Sequence, residues 1–586
     1  MANYRYINLN NIKNIISSKK FIKMKSFPFN LLLIVLLISM SKSIVEFKDG
    51  YERSQQFRAV WVSGFGGDED LVTFESIEQF KKNMTYVLDT VKGYNMNAII
   101  YHVRTHNDAL YPSELNPVSK YFKKVNFEEF DPLKWLINET HRRGIEFHAW
   151  MNPYRIKTKN DTKIDDILKQ YENYPKNPAH YKENILYGTD MIIMDPGLEN
   201  VRRFISDTIM EFFDQYDVEA IHFDDYFYSD LGAYGHTEGD KTIIDEPDQP
   251  TYNDYCEKYP GKYDNTSATD KANWRREQID LLIKLLRTNI NNYNKDHNKH
   301  IQFGISPTGV YKNGDGKVTY DENGNAISSG SDTNTQEHYA SYLFCDTLKW
   351  CNEGWIDYIL PQDYFARDHN NAPFNPILEW WGKALLKKNK INLYQGVGLY
   401  QSDMENEEKY KSWTTDENEM YLDLIDIANN ERTDGVSIYN FHTLRTYKDG
   451  RTNKFSYKQI KNGIKAWTKR VLPTEVKAFN RIYLEAPKNA NLSGDILSFD
   501  KVNDAKFYVI YQTNGELKFN ETEIIDVIGN PENKPRLEFK VSDAKNKFGI
   551  RAISYSNTLG NTTIVNSSKM NFVPLIALGI LLILLF

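Results

Sequence analysis

Between residues 57 and 470 the chain repeats one pattern eight times: a short apolar run of six or seven residues, then a longer amphipathic stretch. The runs are FRAVWVS (57–63), AIIYHVR (98–104), IEFHAWM (145–151), EAIHFDD (219–225), QFGISP (302–307), DYILPQD (357–363), NLYQGVG (392–398) and GVSIYN (435–440). Segments that are apolar along most of their length, rather than at every second residue, suit strands buried on both faces. That burial belongs to parallel sheets covered by helices. Helices are expected at 74–92, 131–143, 199–216, 273–295, 339–353, 376–389, 415–430 and 456–469. Eight strand–helix units predict an α/β fold, a parallel (β/α)8 barrel over 55–470. An open doubly wound sheet is the alternative. Against it, the first run ends SGFGGDED and lacks the G-x-G-x-x-G spacing of a dinucleotide-binding turn.

Beyond about residue 472 the pattern changes to short alternating runs separated by polar turns, including GDILSFDKV, AKFYVIYQT, PRLEFKVS and KFGIRAISYS. These predict a small antiparallel β-sandwich over 473–560, of immunoglobulin-like size, with no evident chemistry of its own.

Both ends carry apolar segments. FPFNLLLIVLLISM (27–40) follows several lysines and is too short to span a bilayer comfortably, so residues 1–43 are expected to be a secretory signal. Cleavage is expected near 41–43; Met24 is an alternative start, and an uncleaved anchor an alternative outcome. FVPLIALGILLILLF (572–586) follows a stretch rich in Ser, Thr, Asn and Gly, which fits a glycosylphosphatidylinositol signal with attachment within 557–568, or else a membrane-anchoring tail. The expected location is therefore extracellular, at the cell surface, with membrane association through the C-terminal segment. N-x-S/T sequons at Asn83, Asn138, Asn160, Asn265, Asn491, Asn520 and Asn561 are compatible with secretion. Three cysteines, Cys256, Cys345 and Cys351, supply neither a disulfide framework nor a thiolate zinc site. A net charge of −7 argues against a nucleic-acid partner. The 39 Tyr and 10 Trp fit either stacking against sugar rings or a compositional bias of the source.

In a (β/α)8 barrel the site lies at the C-terminal ends of the strands, and here those ends are polar. The second run ends His102-Val103-Arg104 and the third His148-Ala149-Trp150-Met151-Asn152. The fourth ends His222-Phe223-Asp224-Asp225, and the sixth Gln362-Asp363-Tyr364. Strand alternation puts His222 and Asp224 on one face, so Asp224 is the expected inward carboxylate, with Asp225 at the turn. Two carboxyl groups can supply an acid together with a nucleophile or base for glycosidic cleavage, with no cofactor and no metal. Crowding them raises at least one pKa. The competing reading is a divalent-metal site of His102, His148, His222, Asp224 and Asp363, for which the H-x-H of typical barrel hydrolases is missing.

Long segments then point to one family. FRAVWVS, NDALYPSEL (107–115), HRRGIEFHAWMNPYR (141–155), MDPGLENVR (194–202), YDVEAIHFDDYFY (216–228), FGISPTGVYKN (303–313) and EGWIDYILPQDYF (353–365) resemble the glycosyl hydrolase-like 10 family, also called DUF187, in order and spacing over roughly 57–450. The resemblance implies a TIM-barrel glycosidase-like protein with a fibronectin type III-like C-terminal region. Some bacterial relatives are linked to peptidoglycan strands stripped of peptides. Within the matched motifs it implies site roles for Arg104, Asp108, His148, Asn152, Arg155, Asp195, His222, Asp224, Asp225, Gln362 and Tyr364, with Arg276 of NWRRE beside them. Asp363 departs from the pattern, which has an apolar residue between Gln and Tyr; it is either a paired acid facing outward or an extra site carboxylate. Asp195, in Asp-Pro-Gly, also suits a turn that caps the following helix. Trp150 is a candidate stacking platform. The expected function is a glycoside hydrolase acting on a glycan through Asp224 and Asp225. The alternative is a non-catalytic carbohydrate-binding or adhesion protein on the same barrel.

Overall fold

A computed structural model of the protein describes residues 54–566 except 233, 239–240, 341–342 and 405–409, and gives only the backbone of 234–238 and 241–245. The expected signal (1–43) and tail (572–586) lie outside the described residues. Among the described residues, no helix is long and apolar enough to cross a membrane.

The eight apolar runs form eight parallel strands: β1 (Phe57–Val62), β2 (Ala98–Arg104), β3 (Glu146–Met151), β4 (Ala220–Phe223), β5 (Gln302–Ile305), β6 in two pieces (Tyr358–Ile359 and Gln362–Asp363), β7 (Asn392–Val397) and β8 (Gly435–Ile438). Each pairs with its sequence neighbours, and β1 pairs with β8 in the register Phe57 to Gly435, so the sheet closes on itself. It is the expected barrel and not the open sheet. Closure removes both sheet edges, and the residues of β1, β2 and β3 are buried throughout, which is why they read as continuous apolar runs.

Helices follow the strands in turn: α1 (Ile77–Gly93), α2 (Pro132–Arg142), α3 (Glu199–Gln215), α4 (Ala268–His297), α5 (Thr347–Asn352), α6 (Phe374–Ala384), α7 (Glu419–Asn429) and α8 (Phe455–Gly463). The largest departure from expectation is α5, which starts at Thr347 instead of 339. Asp346 takes the N-cap position and accepts from the Lys349 amide, while Phe344 just before it has a positive φ of 51° that no helix continues through. A second feature without a sequence signal is the three-stranded antiparallel sheet formed between β3 and α3 by Arg155–Lys157, Ile185–Tyr187 and Ile192–Met194. Three-residue runs show no usable periodicity.

Inside the barrel, Phe57, Ala59 and Trp61 of β1 pack with Ala98, Ile100, Trp150, Ala220, Tyr358 and Tyr394, all nearly inaccessible. Every second residue points inward, and burying each large side chain contributes ~1.5–3 kcal/mol. The interior depends on Gly304. A Cβ there would lie 1.9 Å from the Tyr358 ring, which occupies that space and so reaches the histidines described below. Gly304→Ala is therefore expected to force Tyr358 off its rotamer and cost about 1–3 kcal/mol of stability, read as a lowered denaturant midpoint. An unchanged midpoint would contradict this packing.

The C-terminal segment forms two antiparallel sheets, one of three strands and one of four. The strands are β9 (Asn491–Ser493), β10 (Ile496–Asp500), β11 (Ala505–Thr513), β12 (Ile524–Gly529), β13 (Arg536–Lys540), β14 (Lys547–Ser554) and β15 (Leu559–Val565). Leu497, Phe499 and Leu537 of one sheet share a buried core with Tyr508, Ile510, Phe548 and Ile550 of the other. This unit meets the N-terminal ends of the barrel strands, opposite the expected site. Lys506 of β11 reaches Glu146, the first residue of β3, at 2.5 Å, and Asn557 donates to the same carboxylate at 2.8 Å. His141 of α2 and Glu219, just before β4, pair at 3.1 Å beside Phe507.

Candidate active site

At the C-terminal ends of the barrel strands lies a cleft of about 400 Å³. Asp224 and Asp225 stand in its wall, together with Trp61, Trp150, Arg155 and Gln362. They sit there because β4 ends at Phe223, so both carboxylates fall where the strand has just left the sheet. Phe65, Tyr226, Tyr364, Tyr400 and Tyr439 supply aromatic surface, and Ser306 and Thr158 complete the lining.

The two carboxylates have different surroundings. Asp224 is buried and accepts from the Asn152 amide at 3.1 and 3.3 Å and from the Tyr226 backbone N–H at 3.2 Å, with the Arg155 guanidinium 3.8 Å away. Burial raises its pKa; Arg155 and the donors oppose that rise. Asp225 accepts from the Gln362 amide at 3.0 Å. Its pKa is pushed up to about 7, by burial first and by the Asp224 charge next. The Asn152 and Tyr226 donors and the Arg155 cation favour an ionised Asp224, whereas the like charge beside Asp225 favours its protonated form. Such a pair holds one proton between two roles.

Beneath the carboxylates a polar chain descends the barrel axis. Trp61 Nε1, which can only donate, meets His222 Nε2 at 3.3 Å, so that nitrogen is the unprotonated one. Burial drives the His222 pKa far down, leaving the ring neutral. Its Nδ1–H then donates to the Tyr358 hydroxyl at 2.9 Å, and that hydroxyl donates to His148 Nδ1, also at 2.9 Å. His148 Nε2 faces Glu146 Oε2 at 3.6 Å, beyond hydrogen-bond length. Ser306 Oγ meets His222 Nε2 at 3.1 Å and also receives the Gln362 amide at 3.3 Å, which ties the chain to the cleft wall.

Six of the residues singled out in the sequence line the cleft: Trp150, Arg155, Asp224, Asp225, Gln362 and Tyr364. Asn152 lies under it, bonded to Asp224 and, through its Oδ1, to the Arg155 amide at 2.9 Å, which braces the loop after β3. Arg104 is buried and donates to the carbonyls of Asn152 and Pro153, so it holds that loop from behind. His222 and His148 stay within the barrel. Asp363 is turned away from the cleft and accepts from Gln395 at 2.7 Å, because adjacent strand residues face opposite ways. Asp108 organises its own loop by accepting from the Thr105 and His106 amides. Asp195 accepts from the Gly197 amide and the Thr251 hydroxyl, and burial raises its pKa to about 6. Arg276, on α4, donates to the Tyr339 carbonyl and stacks 4.2 Å over that ring. The residues proposed as metal ligands do not converge: among the described residues no group of three or more His, Cys, Asp or Glu side chains is placed to hold a metal ion.

Phe65, Thr158, Tyr226 and Tyr400 of the cleft wall were not singled out from the sequence. All lie on connections after strand ends, and the only signal for Tyr226 was its place directly after the Asp pair. The Trp150 indole ring stacks on His102 at 3.8 Å between ring centroids, and its N–H is among the groups that lower the Asp224 pKa. Among the described residues, the buried Tyr364 hydroxyl has no hydrogen-bond partner. A buried hydroxyl left unpaired at the cleft wall suits a polar ligand.

The family model described as glycosyl hydrolase-like 10 matches residues 56–415, the barrel through β7. The chain belongs to the glycosyl hydrolase-like 10 family. Within the family it is 33% identical over 373 residues to glycosyl hydrolase YngK of Bacillus subtilis, covering 63% of this chain and 65% of the relative. It is 30% identical over 319 residues to glycosyl hydrolase DigH of Escherichia coli K12, covering 53% of this chain and 64% of the relative. The chain thus spans a little under two thirds of each curated relative. Among solved structures, the PgaB (BpsB) glycoside hydrolase domain of Bordetella bronchiseptica aligns over 69% of this chain and 98% of its own, with 11% identity and a TM-score of 0.40.

Proposed function

We propose that this chain is a glycoside hydrolase that cleaves O-glycosidic bonds in an amino-sugar glycan of the peptidoglycan type. The observation that carries this reading is the adjacent Asp224 and Asp225 pair, in unlike environments, in one aromatic-walled cleft. Asp225, protonated near neutrality, gives its proton to the leaving glycosidic oxygen. Asp224, ionised, faces the developing positive charge at the sugar carbon as nucleophile or as base for water. Trp150 and the cleft tyrosines present flat surface and hydroxyls to sugar rings. The relatives' names, both glycosyl hydrolases, support the reaction class.

The Lys-flanked apolar segment at 27–40 and the apolar 572–586 support secretion and attachment at the cell surface. The two-sheet C-terminal unit is read as fibronectin type III-like, set on the barrel floor opposite the cleft.

The test is the pH dependence of kcat/KM on purified glycan strands. The acid must be protonated, so activity is expected to fall as pH rises through about 7. The partner must be ionised, so activity falls again on the acid side, giving a bell. A flat profile between about pH 5 and about pH 9 would contradict these roles.

A further inference from the structure

We propose that the basic cavity beside the cleft is a subsite for an anionic substituent on the glycan, a carboxylate or a sulfate ester; this rests on the glycosidase reading. The cavity holds about 470 Å³, and Lys120, Lys123, Lys157 and Lys159 line it with Asp108 and Asp161. It adjoins the cleft, since Thr158 lines both. Lys157 follows Arg155 by two residues on the short strand Arg155–Lys157, whose pairing register shifts between them. Phe65, in the cleft wall, has the Arg155 guanidinium 5.2 Å and the Lys120 ammonium 6.0 Å from its ring centroid.

Four ammonium groups stand against two carboxylates there. Among the described residues, none of the four lysines has an ion-pair partner within 4.0 Å. Lys157 donates only to the neutral Gln170 side chain, at 2.7 Å. Asp108 accepts from the Thr105 and His106 amides, and Asp161 is exposed, as Lys120, Lys123 and Lys159 are. Burial lowers the Lys157 pKa; Asp108 and, more weakly, Asp161 oppose this, while Lys120 and Lys123 add to it. Lys157 is half-buried, and the four ammonium groups surround one cavity that adjoins the cleft, on a chain whose net charge is −7. Charge-assisted hydrogen bonds from several ammonium groups to one carboxylate or sulfate fit the arrangement.

The test uses the full chain purified in detergent, carrying Asp224→Asn so that ligands are not turned over, with and without Lys120→Gln and Lys157→Gln together. Three probes are titrated: peptide-free peptidoglycan strands, the same strands with carboxylates reduced to alcohols, and sulfated chitin oligosaccharides. Loss of the carboxylates and loss of the lysines are each expected to weaken binding about tenfold, without adding to one another. Lys157→Arg is expected to retain affinity, and the thermal midpoints of all variants to agree. Lysine-dependent binding confined to the sulfated probe would support the subsite with sulfate as its ligand. Equal affinity for charged and reduced strands, a lysine effect equal on both, or no binding to any probe would overturn it. Parallel hydrolysis by the native chain separates the two proposals. Cleavage without charge preference leaves the glycosidase reading and removes the subsite; lysine-dependent binding without cleavage does the reverse.

Discussion

Asp224→Asn is expected to lower kcat on glycan strands by a factor of about 10³ to 10⁴ while moving KM only a few-fold. The substitution keeps the shape of the side chain and removes its charge. Asn152, the Tyr226 amide and Arg155 all point positive or donating groups at Asp224, so the site is built to hold a negative charge at that position. A neutral amide cannot balance the charge that develops on the sugar carbon, yet it fills the same space for binding. The variant is also expected to fold normally, because the burial that raises the Asp224 pKa is a cost that the amide avoids. Initial rates with thermal unfolding of the same preparation check both halves. A variant that keeps more than about a tenth of native kcat would remove Asp224 from the chemistry.

The second large effect is on the opposite end of the barrel. Lys506→Met is expected to cost about 3–5 kcal/mol at neutral pH, because it strands a buried carboxylate. Glu146 and Lys506 are both nearly inaccessible and 2.5 Å apart. Burial pushes the Glu146 pKa up, but Lys506 and His148 more than reverse that and hold it at about 2. The sign follows from this. A carboxylate with a depressed folded-state pKa stabilises the fold above its ordinary value of about 4.5 and loses that contribution as pH falls toward about 2. The deficit of the variant is therefore expected to narrow as pH is lowered through that window. Glu146→Gln combined with Lys506→Met should recover much of the loss, since no charge is left buried. Denaturant unfolding across pH measures it, and a deficit below about 1 kcal/mol at neutral pH would show that the pair is solvated.

The barrel was legible because its strands are buried on both faces, so each announced itself as an unbroken apolar run with a polar end. The same polar ends named Asp224, Asp225, Trp150, Arg155, Gln362 and Tyr364, which the fold does bring to one cleft. Parity along β6 separates neighbours that the sequence left together: Gln362 enters the cleft and Asp363 leaves it. The axial chain from Trp61 to His148 was not legible. It joins residues more than a hundred positions apart, and it exists only because Gly304 leaves room for the Tyr358 ring. The Lys506–Glu146 contact spans 360 positions and has no local signature either. Phe65, Thr158 and Tyr400 lie on connections, where neither the twofold nor the 3.6-fold period applies.

The most direct measurement is reducing-end release from peptide-free peptidoglycan strands by the native chain, with the products sized by mass spectrometry beside the Asp224→Asn variant. New reducing ends and shortened strands are expected with the native chain and neither with the variant. Strands that are retained by the protein but stay intact would contradict it and make the barrel a carbohydrate-binding module.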